Sequence, residues 1–115
     1  MKQGSIVVLP FPFTDLSSTK QRPCLVISQK KFNSNSDDLI VLAITSNQKY
    51  AKDNLSIKIK KTDTTKGKLP KESFVKCQKV LSIHKSLVRK EVCMVNEELF
   101  RKIIEKFIGI FTEMY

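Results

Sequence analysis

Residues Gly4–Ser28, GSIVVLPFPFTDLSSTKQRPCLVIS, decide how the chain folds. Ile6-Val7-Val8-Leu9 is an apolar run of strand length opened by Gly4, and Cys24-Leu25-Val26-Ile27 is a second, opened by Arg22-Pro23. Proline is tolerated at the first position of a strand, where no ladder donor is needed. Pro10 and Pro12 are expected to stop the first strand, and Thr14 to Gln21 is polar, basic and turn-forming. A strand, a polar loop and an arginine at the root of the next strand present a cation to an anionic ligand. On spacing alone the same residues also describe a surface hairpin of a small all-β domain.

Outward from this hairpin, Gln29 to Asp38 (QKKFNSNSDD) reads as an exposed loop. Leu39 to Thr45 (LIVLAIT) is almost continuously apolar, as a central strand buried on both faces would be. Ser46 to Asp53 is another polar connection. Leu55 to Lys60 (LSIKIK) alternates, so one face is buried and the lysine face is wet. Thr62 to Pro70 is a basic turn region containing Gly67, Ser73–Cys77 and Lys79–Ile83 are two short strands, and Glu91–Val95 is the last. The period then changes. Leu99, Phe100, Ile103, Ile104, Phe107, Ile108 and Phe111 recur at steps of three and four, which is one helical stripe. Asn96 is its N-cap, with Glu97 and Glu98 in the first turn where the helix dipole favours anions. Such a stripe should pack across the sheet, with part of it facing a second subunit.

At 115 residues the chain has room for one modest core and reads as a single domain over 1–115. No stretch approaches the roughly 20 apolar residues of a membrane span, and no basic-then-apolar leader precedes Gly4. The expected location is the cytoplasm. Three scattered cysteines, Cys24, Cys77 and Cys93, and one histidine make neither a disulfide frame nor a zinc site. The net charge is +10, with +4 carried by residues 53–76 and −1 by residues 97–115. The positive charge therefore belongs to the strand-and-loop body. Such a basic face is what a nucleic-acid binder needs, although solvated lysines alone would also produce it.

Five to seven short strands and one long terminal helix describe a mainly β (α+β) domain, a bent antiparallel sheet or partly open barrel plus a helix. The chain resembles the MazF/PemK toxins of type II toxin–antitoxin systems. Their opening has a glycine, an Ile-Val pair and a later Arg-Pro-x-Leu-Val-Ile followed by Ser or Thr. Gly4, Ile6, Val7, Pro12, Arg22, Pro23, Leu25, Val26, Ile27 and Ser28 match it. Val41 to Ser46 (VLAITS) matches the family's V-x-x-I-T strand, and Ser73 to Leu87 is a weaker third match. The resemblance implies an SH3-like barrel that forms homodimers. It also implies a metal-independent endoribonuclease that cuts single-stranded RNA to 2′,3′-cyclic phosphate and 5′-hydroxyl ends, with no cofactor. The implied partners are a cognate acidic antitoxin and, through that antitoxin only, operator DNA.

By the same resemblance Arg22 and Thr45 are catalytic. An arginine fork can grip a scissile phosphate, and a threonine at a strand end offers a fixed hydroxyl. Thr14, Ser17, Lys20, Ser46 and Lys79 are further candidates for RNA contact. The third motif departs from the family's Q-I-R-T-I-D-K: Lys79-Val80-Leu81-Ser82-Ile83-His84-Lys85 puts Leu81 in place of the arginine and His84 in place of the aspartate. His84 is the one side chain with an ordinary pKa near neutrality and is a possible proton carrier, or else a structural surface residue. No Gly-rich phosphate loop, H-E-x-x-H motif or carboxylate cluster is present. The alternative reading is a non-catalytic nucleic-acid- or protein-binding module on the same barrel, and Leu81 favours it. A third, gyrase poisoning by a toxin of the same fold, fits poorly with the Arg22/Thr45 pair.

Overall fold

The first two apolar runs close into one hairpin longer than the prolines suggest. In a computed structural model, which describes residues 1–12 and 19–112, β1 spans Ser5–Pro12 and β2 Thr19–Val26. The register runs from Ile6↔Leu25 to Pro12↔Thr19. Pro10 and Pro12 therefore do not stop the strand, and Arg22-Pro23 lies inside β2 rather than opening it. The reason is which way the missing N–H would point. The Val8 carbonyl accepts from the Arg89 N–H at 2.8 Å, so Val8 points its backbone away from β2. Pro10 and Pro12 share the parity of Val8, and Pro23 faces Val8, so no proline is asked for a β1–β2 ladder bond.

The other strands are β3 (Asp38–Thr45), β4 (Ser56–Ile59), β5 (Thr64–Thr65), β6 (Ser73–His84) and β7 (Lys90–Val95). They form one seven-stranded sheet in the order β4-β6-β3-β2-β1-β7-β5, with every pairing antiparallel. The sheet coils into a nearly closed barrel, with a helix, α2 (Glu97–Gly109), at its C-terminal end. The two short strands expected over 73–83 are a single bulged strand. Against β3 the register moves from Leu42↔Val80 to Ile44↔Val75, so β6 accommodates extra residues there. Gln29 to Asp38 is not wholly loop either, because α1 occupies Lys30–Asn35. Asn33 ties it down: its amide donates to the Met1 and Ser28 carbonyls at 3.0 and 2.9 Å, and its Oδ1 accepts from the Ser28 hydroxyl.

Two apolar layers hold the sheet. On one face Ile6, Leu25, Leu42, Ile44 and Val75 pack with Leu99 and Ile103 of α2. On the other, Val7, Leu9, Cys24, Val26, Leu39 and Val41 form a second cluster. The helix stripe reads true where it meets the first layer: Leu99 and Ile103 are buried, Phe100, Ile104 and Phe107 are half-buried. Each full burial of a Leu or Ile is worth about 1.5–3 kcal/mol, which is what holds a helix of this length in place. Asn96 caps it by accepting from the Leu99 N–H at 2.8 Å. In the last turn of the helix Ile108 is 51% exposed, and past it Phe111 is 62% exposed. All three cysteines are free and buried, and burial pushes the Cys24 thiol up to about 12 and the Cys77 thiol to about 11. They are packing residues.

Candidate functional site

Strand alternation sorts the candidate residues by face. Cys24 and Val26 belong to the second apolar cluster, so Arg22 and Lys20, of the same parity on β2, project from that face. In β3 the matching residues are Leu39, Val41, Ala43 and Thr45. The β2–β3 ladder pairs Val26↔Val41, Leu25↔Leu42 and Cys24↔Ala43. Carried two residues further, the same register sets Arg22 opposite Thr45. The row continues across the sheet, since Thr45 pairs with Phe74 of β6 and Phe74 with Lys58 of β4. Directly opposed side chains on one face stand about 4.5–5.5 Å apart at Cβ. Thr45, Phe74 and Lys58 thus make a row across three strands, towards which the β2–β3 register directs Arg22.

The row is cationic and held from below. Arg22 and Thr45 are half-buried, while Lys20 and Lys58 are exposed. Phe74, 3% exposed, fills the space between Thr45 and Lys58. Lys58 is partly neutralised by Glu72 at 3.0 Å. Thr45 Oγ1 accepts from the Asn47 N–H at 3.1 Å, which fixes its rotamer and starts the following turn. Its hydroxyl hydrogen is left to donate to a ligand oxygen. Ser46 is exposed beside it. Lys79 is exposed in the bulged part of β6, across from the β3 residues that precede Thr45. Thr14 and Ser17 lie outside the described residues.

His84 sits elsewhere. It pairs with Asp38, at the opposite end of β3 from Thr45. Seven residues at about 3.3 Å each put roughly 23 Å of strand between them within one chain. Its Nδ1 accepts from the Ser86 N–H at 3.1 Å and lies 2.7 Å from the Ser86 hydroxyl, capping the short turn Lys85–Leu87. Leu81 is opposite Val41 and half-buried against the second apolar cluster. Where the family motif has an arginine, this chain has an apolar packing residue. No group of three or more His, Cys, Asp or Glu that could hold a metal occurs among the described residues.

One feature near Thr45 went unread in the sequence. Tyr50, half-buried in the 3-10 turn Gln48–Lys52, carries Lys76 Nζ at 4.5 Å and Lys49 Nζ at 5.2 Å from its ring centroid. A hydrogen bond from the Lys76 ammonium, with the nearby positive charge, holds its hydroxyl below the usual phenol range. The signal was an aromatic set among lysines, Lys49-Tyr50-Ala51-Lys52, immediately after the Thr45 strand.

Comparison with known proteins gives the fold and the family. No curated protein sequence matches the chain. In fold it is similar to an endoribonuclease in complex with its cognate antitoxin from Mycobacterial species, at TM-score 0.79 and 12% identity over 100% of this chain and 98% of that one. It is similar to MazF in the MazE–MazF structure from Deinococcus radiodurans, at TM-score 0.77 and 15% identity over 99% and 98%. A third is Mycobacterium tuberculosis toxin MazF-mt6, at TM-score 0.75 and 14% identity over 96% and 99%. At such identities the likeness establishes the fold. The family is set by a separate match: the model for the PemK-like, MazF-like toxins of type II toxin–antitoxin systems covers residues 2–111. The chain belongs to that toxin family.

Proposed function

We propose that this toxin, acting as one domain over 1–115, is a metal-independent endoribonuclease of single-stranded RNA. What supports the reading is the β2–β3 register, which, carried two residues past Cys24↔Ala43, directs Arg22 towards Thr45 on a basic face. RNA supplies its own nucleophile. The 2′-hydroxyl gives up its proton as its oxygen bonds to phosphorus, the bond from phosphorus to the 5′-oxygen breaks, and the leaving 5′-oxygen takes up a proton, so none is consumed overall. The products end in 2′,3′-cyclic phosphate and 5′-hydroxyl. Arg22 holds the phosphate through two N–H donors and opposes the charge that builds on its free oxygens. Thr45 donates its hydroxyl to the same phosphate. Lys20, Ser46 and Lys79 line the approach, and Thr14 and Ser17 are kept as RNA-contact candidates from the family resemblance alone. His84 we assign to the Lys85–Leu87 turn, since its ring nitrogen is engaged there.

The test is incubation of the purified protein with a long unstructured RNA, with and without EDTA. Cleavage at equal rates and cyclic-phosphate ends are expected. EDTA-sensitive cleavage would overturn the mechanism. The second reading, a module that binds without cutting, is favoured by the half-buried Leu81. It is the outcome if the parent binds every RNA offered and cleaves none.

For partners we infer a homodimer and an acidic antitoxin that covers the RNA face, with operator DNA reached only through the antitoxin. The exposed Ile108, Ile110 and Phe111 give the chain apolar surface to cover, and its +10 charge suits an acidic partner. Among the described residues no helix is long and apolar enough to cross a membrane. The proposed location is the cytoplasm, where messenger RNA is. Light scattering at micromolar concentration is expected to give twice the chain mass of 13.2 kDa. Saturating antitoxin is expected to abolish RNA binding, and an unchanged affinity would refute a shared face.

A further inference from the structure

Tyr50 is fixed relative to Thr45 by two consecutive side-chain-to-backbone bonds. Thr45 Oγ1 accepts from the Asn47 N–H, and Asn47 Oδ1 accepts from the Lys49 N–H at 3.0 Å, which caps the turn that presents Tyr50. Lys76 approaches from the sheet. It lies two residues from Phe74, the cross-strand partner of Thr45, so it shares the face of Arg22 and Thr45. Diagonal neighbours on one face are about 7–8 Å apart, so the Lys76 stem starts roughly that far from Thr45. Its ammonium then reaches 4.5 Å from the Tyr50 centroid, and Lys49 adds a second ammonium at 5.2 Å. An aromatic ring with two ammoniums close by, presented at the surface one turn past the proposed phosphate-binding threonine, has the composition of a single-strand subsite. Bases stack on such rings whatever their identity, and ammoniums track the backbone.

We propose that Tyr50, Lys76 and Lys49 form a nucleotide subsite next to the scissile position, in which the ring stacks on one flanking base and the two lysines hold its phosphate. The site deepens the reading of the protein as an RNA-cleaving toxin and rests on it only for the ligand, single-stranded nucleic acid. Binding here is paid in stacking and charge, not in the chemistry at Arg22. Removing the ring should therefore raise KM and leave kcat nearly unchanged.

The chain has no tryptophan and two tyrosines, Tyr50 and Tyr115. In a Tyr115→Phe background the intrinsic emission reports Tyr50 alone. The probe is a mixed-sequence 12-mer of 2′-O-methyl RNA, which cannot cyclise and so separates binding from cleavage. Titration is expected to quench Tyr50 emission. With the Kd followed by anisotropy of a labelled probe, Tyr50→Leu is expected to weaken binding about 5- to 30-fold and Tyr50→Phe by less than about 3-fold. Lys76→Gln is expected to flatten the logarithmic salt dependence of binding by about 0.7. Circular dichroism confirms that each variant is folded. Unquenched emission together with an unchanged Kd in Tyr50→Leu would overturn the subsite. So would a parent that binds no 12-mer, which would remove the RNA reading as well. A parent that binds with quenching but cuts no RNA supports the subsite and removes only the nuclease.

Discussion

Arg22→Ala is expected to lower the rate of RNA cleavage by about 100- to 1,000-fold, the usual cost of deleting one preorganised donor to a developing anion. The expectation comes from where the residue stands. Arg22 is paired with Leu9 on β1 and stands two residues before the β3 ladder that begins at Cys24. Its backbone is therefore rigid, and the guanidinium is delivered from a half-buried stem rather than from a mobile loop. Arg22→Lys should fall nearly as far, because a point charge cannot reproduce the two parallel bonds of the fork. Thr45→Ala should lose less, and Thr45→Ser least. Serine keeps both the donor and the acceptor that anchors the Asn47 N–H. Single-turnover cleavage of a short single-stranded RNA under excess protein measures all four. A folded Arg22→Ala variant that cuts like the parent would end the proposed chemistry.

The facing of Arg22 and Thr45 was legible in part. Both residues could be named from the two matching motifs, and LIVLAIT announced the buried strand that carries Thr45. What a linear pattern cannot carry is register: positions 22 and 45 are directed towards each other by the pairing of Cys24 with Ala43, two residues away from each. The prolines misled for a related reason. Proline's cost in a sheet depends on which neighbour its nitrogen faces, and that is a property of the pairing, not of the strand. His84 shows the reverse effect. Its chemistry suggested proton transfer, but its position opposite Asp38 puts it at the far end of β3 from Thr45. The α2 stripe was easy, because helical periodicity and the Asn96 cap are both local. The bulge in β6 was not, since the extra residues are invisible until both partners are known.

Gly67→Ala is expected to destabilise the fold by about 2–4 kcal/mol, the sum of a residue forced into a glycine-only backbone region and an overpacked contact. After β5 the chain keeps following β7. The pairs Thr64↔Val95 and Thr65↔Met94, carried two residues further, set Gly67 opposite Val92. There φ is +139°, and a Cβ would stand 2.2 Å from the Val92 carbonyl oxygen. That atom is backbone of β7, so it cannot swing aside as the end of a side chain could. Lys66, at φ +59°, has already turned the chain and leaves no slack on the near side. For a domain of this size the change corresponds to a loss of about 10–20 °C in Tm. Gly109 provides the contrast. A Cβ there meets nothing within 4 Å and φ is not positive, so Gly109→Ala should stabilise the end of α2 by up to about 1 kcal/mol. Urea unfolding of the two variants measures both signs at once. A Gly67→Ala protein within 0.5 kcal/mol of the parent, on the scale where surface substitutions are silent, would mean that β5 does not lie against β7 in solution.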